Sequence, residues 1–226
     1  FVMRLFTRLP WKKKRLRLTD RSIIVRVMHT ETSRDRILES ARRLFYTRSF
    51  ADVGVAEICT EANVKKGSFY HFFSSKQDLA LAMLDDYRAE RSGEFYRLAQ
   101  DTSLPPLERL RRFSLYIADD QEAFHRDHGI VPGCPFGNMA AELSTCDEPI
   151  RNRITEVFTS FESAIERLLR EAAGQGELIG VDLPATAVAM LAYLEGVILT
   201  AKTRNDPQII RTLGPALVTL RVPASP

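Results

Sequence analysis

The chain has 226 residues, 45% of them hydrophobic and 27% charged, which is the composition of a globular protein with one or two domains and a substantial core. No stretch reaches the roughly 18 apolar residues of a membrane-spanning helix, and the three cysteines have no zinc-type spacing, so the composition argues against a membrane protein and a structural zinc site. The net charge of +3 is uneven: residues 1–27 hold nine Lys or Arg and one Asp, and the remaining residues are net acidic at −5.

Residues 1–31 are predicted to be a basic extension that lies outside the folded domains. The segment KKKRLR could bind nucleic acid or an anionic surface, whereas a translation start at Met28 would make the preceding residues non-native. The extension lacks the apolar core of a secretory signal. We expect it to be disordered or non-native, and we expect the folded chain to begin at residue 32.

The segment from Ser33 to Phe50 has the period of an amphipathic helix. Its apolar residues recur at steps of three and four, so they would face a common core. These residues are Ile37, Leu38, Ala41, Leu44 and Phe45. This segment is the first helix of a predicted domain over residues 32–90.

Residues 55–79, VAEICTEANVKKGSFYHFFSSKQDL, predict two short helices joined by a tight turn. The first helix has one apolar face, with Gly54 in front of it instead of a stronger Ser or Thr cap. Asn63 suits the left-handed conformation that ends a helix. The second helix is predicted over Lys65 to Phe73, with its three phenylalanines turned inward. Ser75-Lys-Gln-Asp78 then resembles the capping box of a further helix.

These two helices have the layout of a helix-turn-helix, in which the second helix enters a DNA major groove. Lysine ammonium groups and polar side chains there suit a phosphate backbone, and Gly67 would permit a close approach. The residues predicted to bind double-stranded DNA are Lys65, Lys66, Gly67, Ser68, Tyr70, His71 and Lys76. The alternative interpretation is that they are ordinary solvated groups above a small aromatic core.

Beyond about residue 90 the sequence stays helical without strand alternation, so the chain is predicted to be all-α. Helices are predicted over residues 107–125, 150–173 and 184–204, and a last one begins near Pro207. The helix over 150–173 is amphipathic and ends at Gly174-Gln-Gly176. Asp182-Leu-Pro184 supplies a cap and an early proline for the next helix.

The predicted helix over residues 184–204 is apolar on two sides. One side, facing the core, would hold Val188, Leu191, Leu194 and Ile198. The other is a stripe of small residues, Ala185, Ala189, Ala192 and Gly196. Such a helix implies a second partner, and the simplest is a second copy of the chain in a homodimer. The alternative is a core helix of a monomer.

The helix-turn-helix segment resembles the DNA-binding domain of the tetracycline-repressor (TetR) family of bacterial transcription regulators. The resemblance lies in RDRILESARRLFYTRSF and NVKKGSFYHFFSSKQDL, although Lys65 replaces the family's hydroxyl cap and Gly54 its usual Thr. It implies a three-helix DNA-binding domain over residues 32–90 and a helical effector-binding and dimerisation domain over residues 91–226. It further implies a cytoplasmic bacterial repressor that binds an operator as a homodimer.

The resemblance also implies that the C-terminal domain binds a small effector. Candidate positions are apolar or aromatic, and for each of them core packing is the alternative. They are Phe113, Tyr116, Phe124, Phe136, Met139, Phe158, Phe161 and Tyr193. Glu195, inside an apolar helix, either recognises the effector or is simply hydrogen-bonded.

Residues 130–143, IVPGCPFGNMAAEL, place Cys134 before a helix that is predicted to begin near Gly137 or Asn138. A helix N-terminus lowers the pKa of a thiol, and a nearby Lys202 ammonium could stabilise a thiolate. Both positions resemble a TetR subgroup with a Gly-Cys motif, some of whose members respond to electrophiles or oxidants. Cys134 is therefore either a reactive sensor or an inert buried cysteine.

Two other classes of protein compete with a DNA-binding regulator: an enzyme and a helical protein-interaction module. The sequence has no nucleophile elbow, Walker loop or H-E-x-x-H motif, and Gly174 to Gly180 departs from a dinucleotide fingerprint. His125 and His128 lack further metal ligands. We therefore predict no catalytic residue, no cofactor and no metal ion.

Overall fold

The computed structural model describes residues 32–225, without the side chains of Glu90 and Arg91, so the predicted extension lies outside the described residues. Within this range the chain is helical, with an isolated β-bridge between Val181 and Pro223, and the all-α prediction is confirmed. The α-helices are α1 (Ser33–Thr47), α2 (Val55–Glu61), α3 (Lys66–Phe72), α4 (Lys76–Ala99), α5 (Pro106–His128), α6 (Pro135–Leu143), α7 (Glu148–Gly174), α8 (Leu183–Arg204) and α9 (Gln208–Leu213). A 3₁₀ helix, Gly214–Thr219, follows them.

The first three helices pack around the predicted apolar face of α1. Ile58 of α2 and Phe69 of α3 are fully buried against it. Asn63 has φ +50°, and the Val64 N–H donates to the Cys59 carbonyl at 3.0 Å, which closes the turn between α2 and α3. The predicted helix-turn-helix is therefore present.

The helix α4 connects this domain to the rest of the chain. It begins at Ser75, whose Oγ accepts a hydrogen bond from the Asp78 N–H at 3.0 Å, as the capping motif predicted. It continues without a break across the predicted domain boundary at residues 90 and 91, and it packs against α1, α5 and α7. The helix α4 therefore joins the DNA-binding helices to the C-terminal helices.

The helices α5, α7 and α8 form the centre of the C-terminal half. Arg109 of α5 and Glu171 of α7 form a bidentate ion pair with both distances 2.9 Å. The Asp182 carboxylate accepts from the Ala185 N–H at 3.0 Å and caps α8 as predicted. The apolar faces of α7 and α8 pack against each other along their length.

One prediction for α8 was wrong. Leu191, Leu194 and Ile198 face the core as predicted, but Val188 is 49% exposed. It shares an outer face with Leu199, which is 62% exposed. Val188 and Leu199 share this face because eleven residues make about three full turns of an α-helix, which returns the chain to the same side.

The outer face of α8 also holds the exposed small residues Ala192 and Gly196. Among the described residues, α8 is the one helix long and apolar enough to cross a membrane by length and composition. Packing against α7 accounts for its inner face. Val188 and Leu199 leave its outer face apolar and exposed.

Candidate functional site

The helix α3 has an exposed polar side, and its other side packs into a buried aromatic cluster. Phe69 and Phe73 are buried, with their ring centroids 5.9 Å apart. The exposed predicted residues on α3 and its N-cap are Lys65, Lys66, Gly67, Tyr70 and His71, and Ser68 is half-buried. Six of the seven predicted DNA-binding residues therefore lie together on the second helix of the helix-turn-helix.

Gly67 leaves the first turn of α3 without a side chain at its exposed surface. An added Cβ would have no protein atom within 4 Å, so packing inside the subunit does not require glycine at this position. A missing side chain matters here only to a partner that approaches from outside. This fits the close approach of a nucleic-acid backbone.

Phe72 was wrongly predicted to face the core, since it is 39% exposed. The helix α3 ends at Phe72, and the extended backbone of Phe73, with φ −135°, turns the next ring inward instead. The Phe72 ring meets the His71 ring edge-on, with centroids 4.8 Å apart. Phe72 thus adds an apolar group to the exposed surface that the sequence analysis missed.

Lys76, the seventh predicted DNA-binding residue, lies at the start of α4 rather than on α3. Its Nζ donates to the carbonyl oxygens of Phe50 at 2.8 Å and Val53 at 3.0 Å, and it lies 4.2 Å from the centroid of the Phe50 ring. An ammonium held in this way fixes the start of α4 to the loop between α1 and α2.

Glu142 of α6 holds the same loop. Its carboxylate accepts from the main-chain N–H groups of Phe50 and Ala51, both at 2.9 Å, and from the Ser49 hydroxyl at 2.5 Å. Burial raises the pKa of Glu142, but these hydrogen bonds and the charge of Lys76 outweigh burial, and the pKa is lowered. The ionised carboxylate links α6 to the DNA-binding helices.

A second link joins α1 to the residues before α6. The Tyr46 hydroxyl donates to the Gly133 carbonyl at 2.8 Å and accepts from Gln121 Nε2 at 2.9 Å. The Gly133 N–H in turn donates to Gln121 Oε1 at 3.0 Å. Gly133 has φ +85°, and an added Cβ would lie 2.9 Å from Lys202 Cδ, so both conformation and space require glycine.

Tyr46 and Gln121 also line a mostly apolar cavity with a free volume of about 70 Å³. Helices α1, α4, α5, α6, α7 and α8 and the 3₁₀ helix all contribute to its wall. Its aromatic residues are Tyr46, Phe95, Phe113, Phe136, Phe158 and Phe161. The cavity therefore brings together four of the predicted effector-binding aromatic residues and Cys134.

Five predicted effector residues lie outside the cavity wall: Tyr116, Phe124, Met139, Tyr193 and Lys202. Tyr193 donates its hydroxyl proton to the Leu213 carbonyl at 2.9 Å, and Tyr116 stacks against the outer side of Phe113. Lys202 lies in an outer groove, where its Nζ donates to Asn138 Oδ1 at 2.7 Å. Their side chains are already engaged by the fold in these positions.

Cys134 and Glu195 line both the cavity and the outer groove. Cys134 is the N-cap of α6, which begins at Pro135, and the Gly137 N–H lies 3.5 Å from its Sγ. Burial raises the pKa of Cys134 well above its usual value, and the neighbouring Glu195 carboxylate raises it further. These two effects act against the helix N-terminus and favour the inert alternative for Cys134.

Burial also acts on the two charged groups near Cys134. It raises the pKa of Glu195, which accepts a hydrogen bond from the Cys134 thiol. It lowers the pKa of Lys202. Burial thus favours the neutral form of all three groups.

Sequence reasoning missed Glu142, Tyr46 and Gln121. Glu142 is separated from its loop partners by more than 90 residues, and Gln121 is 75 residues from Tyr46. Polar residues on amphipathic helices carry no local signal for such pairings. Glu195, by contrast, could be identified from the sequence, because it is a charged residue within an apolar helix.

Known proteins share both halves of this arrangement. Residues 37–83 match the family of bacterial regulatory proteins named tetR, and residues 106–217 match a tetracyclin repressor-like C-terminal domain. The chain is 36% identical over 177 residues to the transcriptional regulator AcuR of Cereibacter sphaeroides, covering 76% of this chain and 79% of AcuR. The chain belongs to the TetR family. It is accordingly a DNA-binding transcriptional regulator.

Other TetR-family proteins support the same assignment. The transcriptional repressor DhaR of a Mycobacterium species is 26% identical over 175 residues, which are 76% of this chain and 84% of DhaR. The crystal structure of a regulatory protein TetR from Rhodobacter sphaeroides superposes with a TM-score of 0.75 at 30% identity, covering 84% of this chain and 99% of that one. The relatives named here are regulators of transcription, not enzymes.

Proposed function

We propose that this TetR-family regulator is a cytoplasmic, homodimeric repressor that leaves its operator when a small effector occupies the aromatic cavity. The observation that carries this proposal is the position of Tyr46, which lines the cavity and belongs to α1 of the DNA-binding helices. A ligand that moved Tyr46 or Gly133 would act directly on α1. It must bind the DNA-released conformation more tightly than the DNA-bound one, since otherwise nothing switches.

DNA contact is assigned to the exposed side of α3 and its N-cap. The Lys65 and Lys66 ammonium groups would neutralise phosphates, and the polar side chains would donate hydrogen bonds to phosphates or base edges. The remaining residues assigned to this surface are Gly67, Ser68, Tyr70 and His71. In this proposal Lys76 acts indirectly, through the loop that it holds.

Dimerisation is assigned to the outer face of α8. Val188 and Leu199 are large, apolar and exposed there, and Ala192 and Gly196 between them would allow a partner helix to approach closely. A two-fold pair would present two α3 helices to a roughly palindromic operator.

Reversible occupancy of the cavity is favoured over modification of Cys134 as the route of release. Electrophiles and oxidants react with thiolates, and burial beside Glu195 disfavours the thiolate of Cys134. If a covalent route operates, Cys134→Ser will abolish operator release by N-ethylmaleimide or hypochlorite. Unchanged release in that variant would leave occupancy as the route.

Fluorescence anisotropy tests the proposal with two labelled duplexes of equal length, one from the promoter upstream of the protein's own gene and one of random sequence. We expect a clear preference for the promoter duplex at moderate salt, and footprinting will then locate the operator. Lys66→Ala should weaken binding to both duplexes. Equal affinity of the wild-type protein for the two duplexes would overturn the proposal and favour an interaction module or another activity.

A further inference from the structure

Glu195 is a partly exposed residue of α8 that lines both the cavity and the outer groove, and its carboxyl group is largely buried. It accepts a hydrogen bond from the Cys134 thiol. Among residues 32–225, no lysine, arginine or histidine forms an ion pair with it. A buried carboxylate without a counter-charge costs free energy, so its presence in an apolar helix needs an explanation.

The fold makes specific room for this carboxyl group. An added Cβ at Gly137 would lie 2.5 Å from Glu195 Oε2, so a larger residue at this position of α6 would push the carboxyl group away. Gly67, by contrast, has open space around it. Gly137 thus leaves space on α6 for the Glu195 carboxyl group.

The other polar groups on the cavity wall are already engaged within the fold. Tyr46 and Gln121 hydrogen-bond to each other and to Gly133, and Asp120 also has a partner. The described residues that line the cavity include no lysine, arginine or histidine. An ionised carboxylate can accept about four hydrogen bonds, so Glu195 offers acceptor capacity that the protein leaves unused.

We propose that the effector is a small organic cation, a primary ammonium group on a short apolar body, that donates its N–H groups to Glu195. This inference rests on the proposed function, in which the cavity is the effector site. The ammonium would supply the counter-charge that the carboxylate lacks, and the surrounding aromatic rings would attract the cation and cover the apolar body. The free volume of about 70 Å³ limits the ligand to a few heavy atoms.

The same wall disfavours two other classes of ligand. An anion would place a second negative charge next to Glu195 with no cation in the lining to offset it. A neutral apolar molecule of the same size would fill the cavity but leave Glu195 without a counter-charge. Charge is therefore the property that should decide binding.

Three probes with one four-carbon chain separate these classes: n-butylamine, n-butanol and butyrate. Calorimetry on the full chain measures their binding, and anisotropy of the labelled operator duplex measures release in parallel. We expect n-butylamine to bind at least about 10-fold more tightly than the other two, the effect of one buried charge pair worth about 1.4 kcal/mol.

Two variants test the role of the carboxylate. Glu195→Gln should reduce n-butylamine affinity at least about 10-fold and leave n-butanol affinity within about 3-fold, because only the charge is removed. Gly137→Ala should weaken amine binding in the same way, since its Cβ displaces the carboxyl group. The matched control is Glu156→Gln, which removes an exposed carboxylate of α7 that lies outside the cavity wall.

The outcomes separate this inference from the proposed function. If n-butanol or butyrate binds as tightly as n-butylamine, or if Glu195→Gln leaves amine affinity unchanged, the cationic class of effector is wrong. Operator release by such a neutral or anionic probe would still support the proposed function. Amine binding that depends on Glu195 without operator release would support the cation site but overturn the cavity as the effector switch. Circular dichroism and unliganded melting temperature verify that each variant is folded.

Discussion

The lysine residues at the DNA-binding end divide into two kinds according to what surrounds the ammonium group. Lys65 and Lys66 are exposed, whereas Lys76 donates to two main-chain carbonyls and contacts an aromatic ring. Two of the three N–H donors of the Lys76 ammonium are engaged within the fold, so Lys76 has less capacity for a phosphate contact than Lys65 and Lys66. The two kinds should therefore respond differently to mutation.

Lys76→Ala should lower the free energy of unfolding by about 1–3 kcal/mol, because the Phe50 and Val53 carbonyls lose a charged donor. The salt dependence of operator binding should stay the same. Lys66→Ala, the matched control, should leave stability nearly unchanged and reduce the salt slope by about one. Chemical denaturation and anisotropy at several salt concentrations measure both quantities. A reduced salt slope in Lys76→Ala would restore Lys76 as a phosphate contact.

The lowered pKa of Glu142 makes its contribution to stability depend on pH. A carboxyl group whose pKa is lower in the folded protein stabilises the fold above its unfolded pKa of about 4.3, and this stabilisation is lost as the pH falls through the folded pKa. Glu142→Gln should therefore lower the free energy of unfolding at pH 7 by about 1–3 kcal/mol. The difference from the wild type should shrink below about pH 4.

Urea denaturation at pH 7 and at pH 3.5 measures this difference. Glu148→Gln is the control, because its carboxylate is 73% exposed at the start of α7. We expect no comparable pH-dependent difference in that variant. A Glu142→Gln difference that is equal at the two pH values would show that the carboxylate charge has no part in holding the loop.

At the scale of helices, the sequence predicted correctly those helix starts and ends that depend on neighbouring residues. Ser75 and Asp182 cap α4 and α8 as predicted, and Asn63 takes the left-handed conformation that ends the first helix of the pair. The assignments that failed depend on where a helix ends and on which of its sides faces the core. Phe72 and Val188 have the right residue type for a core, but the ends and rotations of their helices place them outside.

The cap at Ser75 gives a prediction at this scale. Ser75→Ala removes the oxygen that accepts from the Asp78 N–H, so it should lower the free energy of unfolding by about 1 kcal/mol. Thr155→Ala is a suitable control, because Thr155 is exposed within α7 and its hydroxyl bonds only to the preceding turn. Thermal denaturation of the two variants compares them. Equal melting temperatures would mean that the cap does not stabilise α4 measurably.

At the scale of the whole molecule, the cavity and the DNA-binding surface are connected through two polar links as well as through α4. Glu142 and the Tyr46–Gly133 pair both join the α6 region to the first helices. The family and the presence of a ligand-binding domain could be predicted from the sequence, since both depend on local motifs. The two polar links could not be predicted, because they depend on how the two halves of the chain pack.

The outer face of α8 gives the last prediction, which concerns assembly. A glutamate at Leu199 would bury an unpaired charge if that face is covered by a second copy, and a two-fold axis would repeat the charge. We expect Leu199→Glu to weaken dimerisation by about 100-fold or more and operator binding by a similar factor, since a cost of about 3 kcal/mol corresponds to two decades. Sedimentation velocity and anisotropy measure the two effects.

Ile179→Glu is the matched control, because Ile179 is 90% exposed and lies before α8 rather than on its outer face. This change introduces the same charge at an exposed apolar residue and should leave both dimerisation and operator binding unaltered. Val188→Glu, on the same face as Leu199, should reproduce the loss. A Leu199→Glu protein that remained a dimer would place the interface elsewhere, and the exposed apolar face of α8 would then need another partner.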